Sequence, residues 1–371
     1  MELNIHTETL AAVFALSVAL GALTSRTGFC TMGAVSDWIN IGDLGRMRSW
    51  MLAIATAMAG LVGLESAGVV DLSTTYPPYR TPQLAWLRYI VGGLMFGVGM
   101  TLASGCGNKT LVRIGGGNLK SLFVLAVGAV FAYLMIFTDF YASAFGWMND
   151  WTLSLDARGI DSQALGSVVA GAVGGDAATL NRALAWIIAA ALAVWAFASA
   201  DFRRNIDHVA GGIGFGLAVL AGWWLTAGPR AAAWKEWAEF ADVVPSRVEA
   251  QSYTFVGPMA DGARWLLDPT NAALLNFGLM ALAGVVVGAF IHAIASGKFR
   301  VEWFRGTADV VRHGIGGALM AIGGVLASGC SIGQGITGVS TLALGSAIAL
   351  LAIIAGSALT MKATMWWLMR D

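Results

Sequence analysis

Charge is scarce in this chain. Asp, Glu, Lys and Arg make up 12% of its 371 residues, against about 25% in an ordinary soluble domain. The two signs balance at 22 each, so the basic surplus that a nucleic-acid partner requires is missing. Cysteine is scarcer still. There are three, an odd number, and no two of them form a CxxC pair. That argues against a disulfide framework and against a zinc site. Met1-Glu2-Leu3-Asn4 lacks the basic start of a cleaved signal peptide, so the first apolar run is expected to be retained. Acidic residues inside the apolar runs are few, chiefly Glu65, so no acidic ring marks a cation path. No segment reads as a soluble domain, a low-complexity linker, or an ATP or quinone motif, and neither cofactor nor metal is expected.

What is present instead is apolar length: 57% of the residues are hydrophobic, with 15 Trp and 48 Gly. Such a chain is an all-α, polytopic membrane protein. Runs of near-spanning length predict about nine transmembrane helices. They lie near 9–25, 49–70, 84–103, 119–139, 183–200, 207–227, 271–295, 311–327 and 344–368. Basic residues gather in alternate short connections: Arg26, Arg46 and Arg48; Lys109, Arg113 and Lys120; Arg203 and Arg204; Lys298, Arg300 and Arg305; then Arg370. Positive residues mark the inside, which predicts the N-terminus outside and the C-terminus inside. Residues 140–160 and 229–267 are too polar to span and rich in aromatics, as interfacial segments are. The roles of the longer segments 140–181 and 228–270 stay open. Trp223-Trp224 and Trp366-Trp367 read as interface anchors.

One pentapeptide occurs twice, as Leu102-Ala103-Ser104-Gly105-Cys106 and Leu326-Ala327-Ser328-Gly329-Cys330. Over residues 87–106 and 311–330, nine of the twenty positions are identical, including Arg88/Arg312, Gly92-Gly93/Gly316-Gly317 and Gly99/Gly323. An odd number of crossings separates the copies, so the two helices run in opposite senses. An inverted repeat follows, with pseudo-symmetric halves of about 1–180 and 181–371 forming a single membrane transport domain over 1–371. Gly211-Gly212 with Phe215-Gly216 echo Gly92-Gly93 with Phe96-Gly97, without a cysteine. That echo has two readings: a further repeat unit, or the small residues that any pair of close-packed membrane helices needs.

All three thiols sit at interruptions of apolar runs, Cys30 following Thr27-Gly28-Phe29. After each comes a short stretch, Thr31–Ile39, Asn108–Ile114 or Ser331–Leu342, too short to span. These read as re-entrant half-helices, whose N–H groups and positive dipole ends favour anions. The candidate substrate-binding residues are therefore Cys30, Cys106 and Cys330, with Ser104, Gly105, Gly107, Asn108, Ser328, Gly329 and Ser331. A thiol is a weak, polarizable donor, suited to passing an anion on without trapping it. A sulfur-bearing anion matches it better than chloride or phosphate. The competing reading makes each thiol a small buried hydrophobe. Lys109 and Arg113 read equally as an anion lure at the inner mouth or as topology signals. Arg88 and Arg312 are expected to snorkel, His208, His292 and His313 to be satisfied residues near helix ends, and Glu65 to lie near the outer surface.

Thr27-Gly28-Phe29-Cys30 with Gly33-Ala34 and Asp37, Ser104-Gly105-Cys106-Gly107-Asn108 with Leu111-Val112-Arg113 and Gly116-Gly117-Asn118-Leu119-Lys120, and Ser328-Gly329-Cys330-Ser331-Ile332-Gly333-Gln334-Gly335 together resemble the YeeE/YedE family of bacterial inner-membrane sulfur transporters. The resemblance spans the chain from end to end. It implies an hourglass-like helical fold and thiosulfate relayed past three thiols, which map onto Cys30, Cys106 and Cys330. Cys30 would share the inner half of the path with Cys106, and Cys330 would stand on the outer half. It also implies a transporter rather than an enzyme, and a cytoplasmic TusA-like sulfurtransferase as a partner. Relatives are associated with other sulfur or selenium species. The alternative from another class is a membrane thiol oxidoreductase or sulfurtransferase, against which the missing CxxC counts.

Overall fold

The computed structural model describes residues 4–369 apart from 242, so Arg370 lies outside the described residues. It is almost wholly helical. In chain order the helices are α1 (Ile5–Thr27), α2 (Thr31–Ile41), α3 (Gly45–Ser66), α4 (Trp86–Leu102), α5 (Gly107–Gly115), α6 (Leu119–Phe137), α7 (Phe140–Phe145) and α8 (Leu165–Val173). They continue with α9 (Ala177–Phe197), α10 (Ala200–Arg204), α11 (Ile206–Ala227), α12 (Ala231–Glu239), α13 (Val256–Leu267), α14 (Phe277–Ala295), α15 (Thr307–Leu326) and α16 (Leu344–Leu368). Two two-residue strands, β1 (Gln83–Leu84) and β2 (Leu153–Ser154), pair antiparallel. Eight helical segments among the described residues are long and apolar enough to cross a membrane. The ninth expected span, α15, is twenty residues long but more polar, and it packs along α4.

Short polar caps start the long helices where the sequence places Asx residues. Asn4, Asn118, Asp176, Asn205 and Asn276 each accept a hydrogen bond from a first-turn N–H. Each such cap is worth about 1 kcal/mol. Lipid is as apolar as leucine, so burying apolar surface does not hold these helices together; close van der Waals packing between small residues does. The contact of α4 with α15 shows it. A Cβ on Gly92 would lie 2.7 Å from Gly323 O, and one on Gly323 2.6 Å from Gly92 O. Likewise a Cβ on Gly99 would lie 2.7 Å from Gly316 O, and one on Gly316 2.9 Å from Gly99 O. The helices therefore run antiparallel. Since Gly92 and Gly99 correspond to Gly316 and Gly323, a two-fold rotation exchanges the two contacts.

The α11 echo belongs to the same plan. Gly93 and Gly97 of α4 press on Ala349, Ile353 and Ser357 of α16, while Gly212 and Gly216 of α11 press on Ser49, Leu52, Ala53 and Thr56 of α3. Helices α3 and α16 each follow a cysteine half-helix. Helix α14, which follows α13, packs on α1, as α6 packs on α15. There are thus four helix–half-helix–helix units: α1–α2–α3, α4–α5–α6, α11–α13–α14, and α15–(331–340)–α16.

Two expectations are corrected here. Residues 250–261 are not interfacial, because Ala250, Tyr253, Phe255, Val256 and Met259 are buried in the core. They form the approach to the fourth half-helix, whose backbone needs protein around it at that depth. Trp223 is no interface anchor either. It is fully buried and packs edge-on against Tyr79, whereas Trp224, Trp366 and Trp367 are exposed. Helix α9 stands at the periphery and exposes Ile187, Val194 and Trp186.

Candidate functional site

The matched breaks are built alike. Ser104 and Ser328 take left-handed backbone, φ 59° and 57°, and the next N–H turns back: Gly105 N to Met100 O at 2.9 Å, Gly329 N to Gly324 O at 2.7 Å. This closes α4 and α15 as a Schellman turn does and aims the chain at the thiol. The carbonyls left over are covered by side chains. Arg113 Nη1 donates to Ser104 O (2.8 Å) and Arg312 Nε to Leu102 O (3.2 Å). On the other copy Gln334 Nε2 donates to Ala327 O (2.6 Å).

Cys30 and Cys330 cap the half-helices that they precede. Cys30 Sγ accepts from Gly33 N at 3.4 Å, and Cys330 Sγ from Gly333 N at 3.3 Å. The first-turn N–H groups thus hold sulfur rather than lying bare, which leaves each S–H proton directed away from its own helix. The 331–340 half-helix is wound as a π-helix over Gly333–Gly338, a rare local form frequent at functional sites. Cys106 is the meeting point. Its thiol contacts the Cys30 thiol, the Ser331 hydroxyl and the backbone N–H of Thr31, and Thr31 Oγ1 donates to Ser331 Oγ at 3.1 Å. All three thiols are free and buried. Cys330 stands apart, 4.0 Å from Thr254 Oγ1. The fourth half-helix arrives without a thiol: Phe255 lies 3.4 Å from where a Cβ on Gly107 would sit.

Beside Cys106 the Asn108 side chain is 1% exposed, and neither its Nδ2 nor its Oδ1 has a partner. A buried amide left so costs about 1–3 kcal/mol, and one that is kept marks a place where something else binds. Lys109, half-buried, has no carboxylate partner among the described residues. Trp50 Nε1 and Trp223 Nε1 are also buried in the same core without acceptors among the described residues, and no sequence pattern marked either for the site.

Cavities lie on both sides of the thiols. The Cys330-side cavity, about 180 Å³, is lined mostly by apolar groups, with Thr254, Ser328 and Gly329 toward the thiol. The Cys106-side cavity, about 400 Å³, is polar and holds Ser104, Arg113, Lys120, Arg305, Arg312 and Asp309. Glu302 and His313 also line it, so four strong bases face two acids. One of its walls is the strap after α14, which is hydrogen-bonded to the turn after α5 through Arg300 N to Gly116 O and Leu119 N to Glu302 O, both 3.0 Å.

Of the ten residues marked from sequence, Cys30, Cys106, Gly107, Asn108 and Ser331 come together at the centre. Ser104 faces one cavity, and Ser328 and Gly329 face the other. Gly105 sits against the Lys109 side chain. Arg113 and Arg312 line the Cys106-side cavity, where Arg312 Nη2 also reaches Ser104 Oγ at 3.3 Å. The Arg88 Nε is buried and has no partner among the described residues, and its guanidinium lies 5.2 Å from the Tyr141 ring centre. His292 pairs with Ser25 and His313 with the Asp309 carbonyl. Glu65 is held by both Nη atoms of Arg80, at 2.6 and 2.9 Å.

Comparison with known proteins agrees with this architecture. The chain is 26% identical over 344 residues to the thiosulfate transporter TsuA of Spirochaeta thermophila, covering 91% of this chain and 93% of that one. It is 25% identical over 336 residues to the thiosulfate transporter TsuA of Escherichia coli, covering 85% and 84%. A profile described as sulphur transport matches residues 26–359, nearly the whole length, and the chain belongs to that sulphur-transport family.

Proposed function

We propose that this membrane protein carries thiosulfate, or a closely related sulfur oxyanion, from the Cys330-side cavity to the Cys106-side cavity past Cys330, Cys106 and Cys30. The observation that carries the reading is the convergence of half-helix starts between two cavities, with a thiol at three of them and the unpartnered Asn108 amide among them. Thiols already bonded through sulfur to N–H groups donate their protons to the anion, and the terminal sulfur of thiosulfate meets them as a soft, weakly hydrated acceptor. No bond to substrate forms, so the protein acts as a transporter and not as an enzyme. Ser104, Gly105, Gly107, Ser328, Gly329 and Ser331 supply the backbone and hydroxyl lining. In the N-out orientation the bacterial inner membrane holds the Cys330 side outward, and the four bases of the Cys106-side cavity draw the anion toward the cytoplasm, where a TusA-like carrier accepts it.

Labelled thiosulfate enters proteoliposomes that contain only this protein; empty-vesicle background from demonstrably folded protein would overturn the reading. The orphan amide gives a second test, because its two effects have opposite signs. Asn108→Leu removes a buried unsatisfied group and raises stability by about 1–2 kcal/mol, while uptake falls at least about tenfold. Unchanged uptake in the stabilised variant assigns Asn108 no part in transport.

A further inference from the structure

The Cys330-side cavity contains no charged side chain, yet a buried guanidinium stands behind its wall at the start of the cysteine-free half-helix. Arg247 Nη2 donates to Asp261 Oδ1 at 2.7 Å, and the guanidinium carbon lies 4.2 Å from the centre of the Tyr76 ring. Asp261 is itself held by Asn276 Nδ2 at 3.2 Å. The Arg247 backbone is left-handed, φ 61°, and its carbonyl accepts from Gln251 Nε2 at 2.7 Å. The side chain is therefore held by Asp261 and the Tyr76 ring, and its backbone by Gln251. Even so, Nη1 is buried and has no acceptor among the described residues.

Gly257 and the Tyr76 ring stand between that nitrogen and the cavity. Both Gly257 and Tyr76 line the cavity, and a Cβ on Gly257 would lie 3.6 Å from Tyr76 Oη and 3.9 Å from Arg247 Nη1. Because the residue is glycine, the space in front of the nitrogen stays empty. An Arg N–H is a charge-assisted donor with fixed geometry, and leaving one buried without an acceptor is costly unless an acceptor arrives from the cavity. The neighbouring Arg264 leaves this cluster with two guanidinium groups and one carboxylate. Thr254, two residues before α13, connects the place to Cys330.

We propose that Arg247 Nη1, buried behind Gly257 and Tyr76 at the cavity wall, is the capture site at which an oxyanion binds before passing to Cys330. The site takes an anion with at least one acceptor oxygen for Nη1, whose remaining, less hydrated part rests on the apolar walls. This inference rests on the transport reading for its direction and its substrate, but binding at the site can be measured apart from transport.

The test uses Gly257→Ala and Arg247→Lys in the full-length protein. Alanine at Gly257 makes ordinary contacts and suits a helix better than glycine, so the fold is kept while the methyl group fills the space before Nη1. Lysine keeps the charge near Asp261 and loses the planar fork. Ligand binding to the native state raises the melting temperature with the logarithm of one plus the ratio of free ligand concentration to Kd. With thiosulfate as the probe in detergent, both variants need about ten times more anion than wild type for an equal shift. In proteoliposomes both show a KM raised about tenfold, with the maximal rate falling less. The proposal is overturned if wild-type melting ignores thiosulfate, or if Gly257→Ala keeps the wild-type concentration dependence of melting and the wild-type KM. Wild-type uptake alone decides whether the protein transports, so the two readings fail separately.

Discussion

Cys106→Ala lowers thiosulfate uptake by about a hundredfold in protein that remains folded. The thiols of Cys106 and Cys30 touch, and Cys106 also meets Ser331 and the start of α2. Alanine removes the donor at the junction of three half-helices and leaves their backbone in place. Loss of one donor to a charged ligand is worth about 1.5–3 kcal/mol, or roughly ten- to a hundredfold; the upper end is expected at the point where the half-helices meet. Cys30→Ala and Cys330→Ala impair uptake less, because neither sulfur meets both Thr31 and Ser331 as Cys106 does. Serine at Cys106 gives an intermediate rate, since it keeps a donor but binds the anion as a harder group. The contact between Cys30 and Cys106 also suits a thiol oxidoreductase, and that account expects a disulfide or persulfide by mass spectrometry during turnover. If the thiols are only packing groups, all three alanine variants transport normally. Wild-type uptake by Cys106→Ala would end the thiol relay.

Gly99→Ala and Gly316→Ala should each destabilise the protein by about 3 kcal/mol, seen as a fall of several degrees in the melting temperature in detergent. The added methyl at Gly99 would meet Met320 N at 2.5 Å and Gly316 O at 2.7 Å; at Gly316 it would meet Ala103 N at 2.5 Å and Gly99 O at 2.9 Å. These are backbone atoms of a facing helix, so no rotamer relieves the clash and α4 must move from α15. The two changes enter one contact from opposite sides, so a single displacement accommodates both, and the double variant loses less than the sum. Gly63→Ala is the control. Nothing lies within 4 Å of its added methyl, and an alanine inside α3 is expected to stabilise by about 0.5–1 kcal/mol. Equal melting temperatures for Gly99→Ala and wild type would show that α4 and α15 do not depend on this close approach. Because α4 and α15 end at Ser104 and Ser328, separating them also moves Cys106 and Cys330, so uptake falls with stability.

The amino-acid sequence by itself determined the features that depend on neighbours along the chain. Apolar run length marked the spans, and Ser-Gly-Cys after such a run marked the breaks at Cys106 and Cys330. The paired glycines marked a helix contact and its repeat. Each is local, because a helix must satisfy its own backbone in lipid and a left-handed residue must end it. Tertiary structure alone decided what meets across the chain. Thr31 reaches Ser331, Cys30 reaches Cys106, and Phe255 lies by Gly107, although long stretches of sequence separate each pair. The fourth half-helix went unread because Gln251, Ser252 and Thr254 made its approach look like surface, when their polar groups are buried and bonded within the core. Trp223 looked like an anchor and Arg247 like one base in a long loop for the same reason. Composition reports how polar a side chain is, whereas its surroundings depend on which helix faces the close glycine contacts bring together.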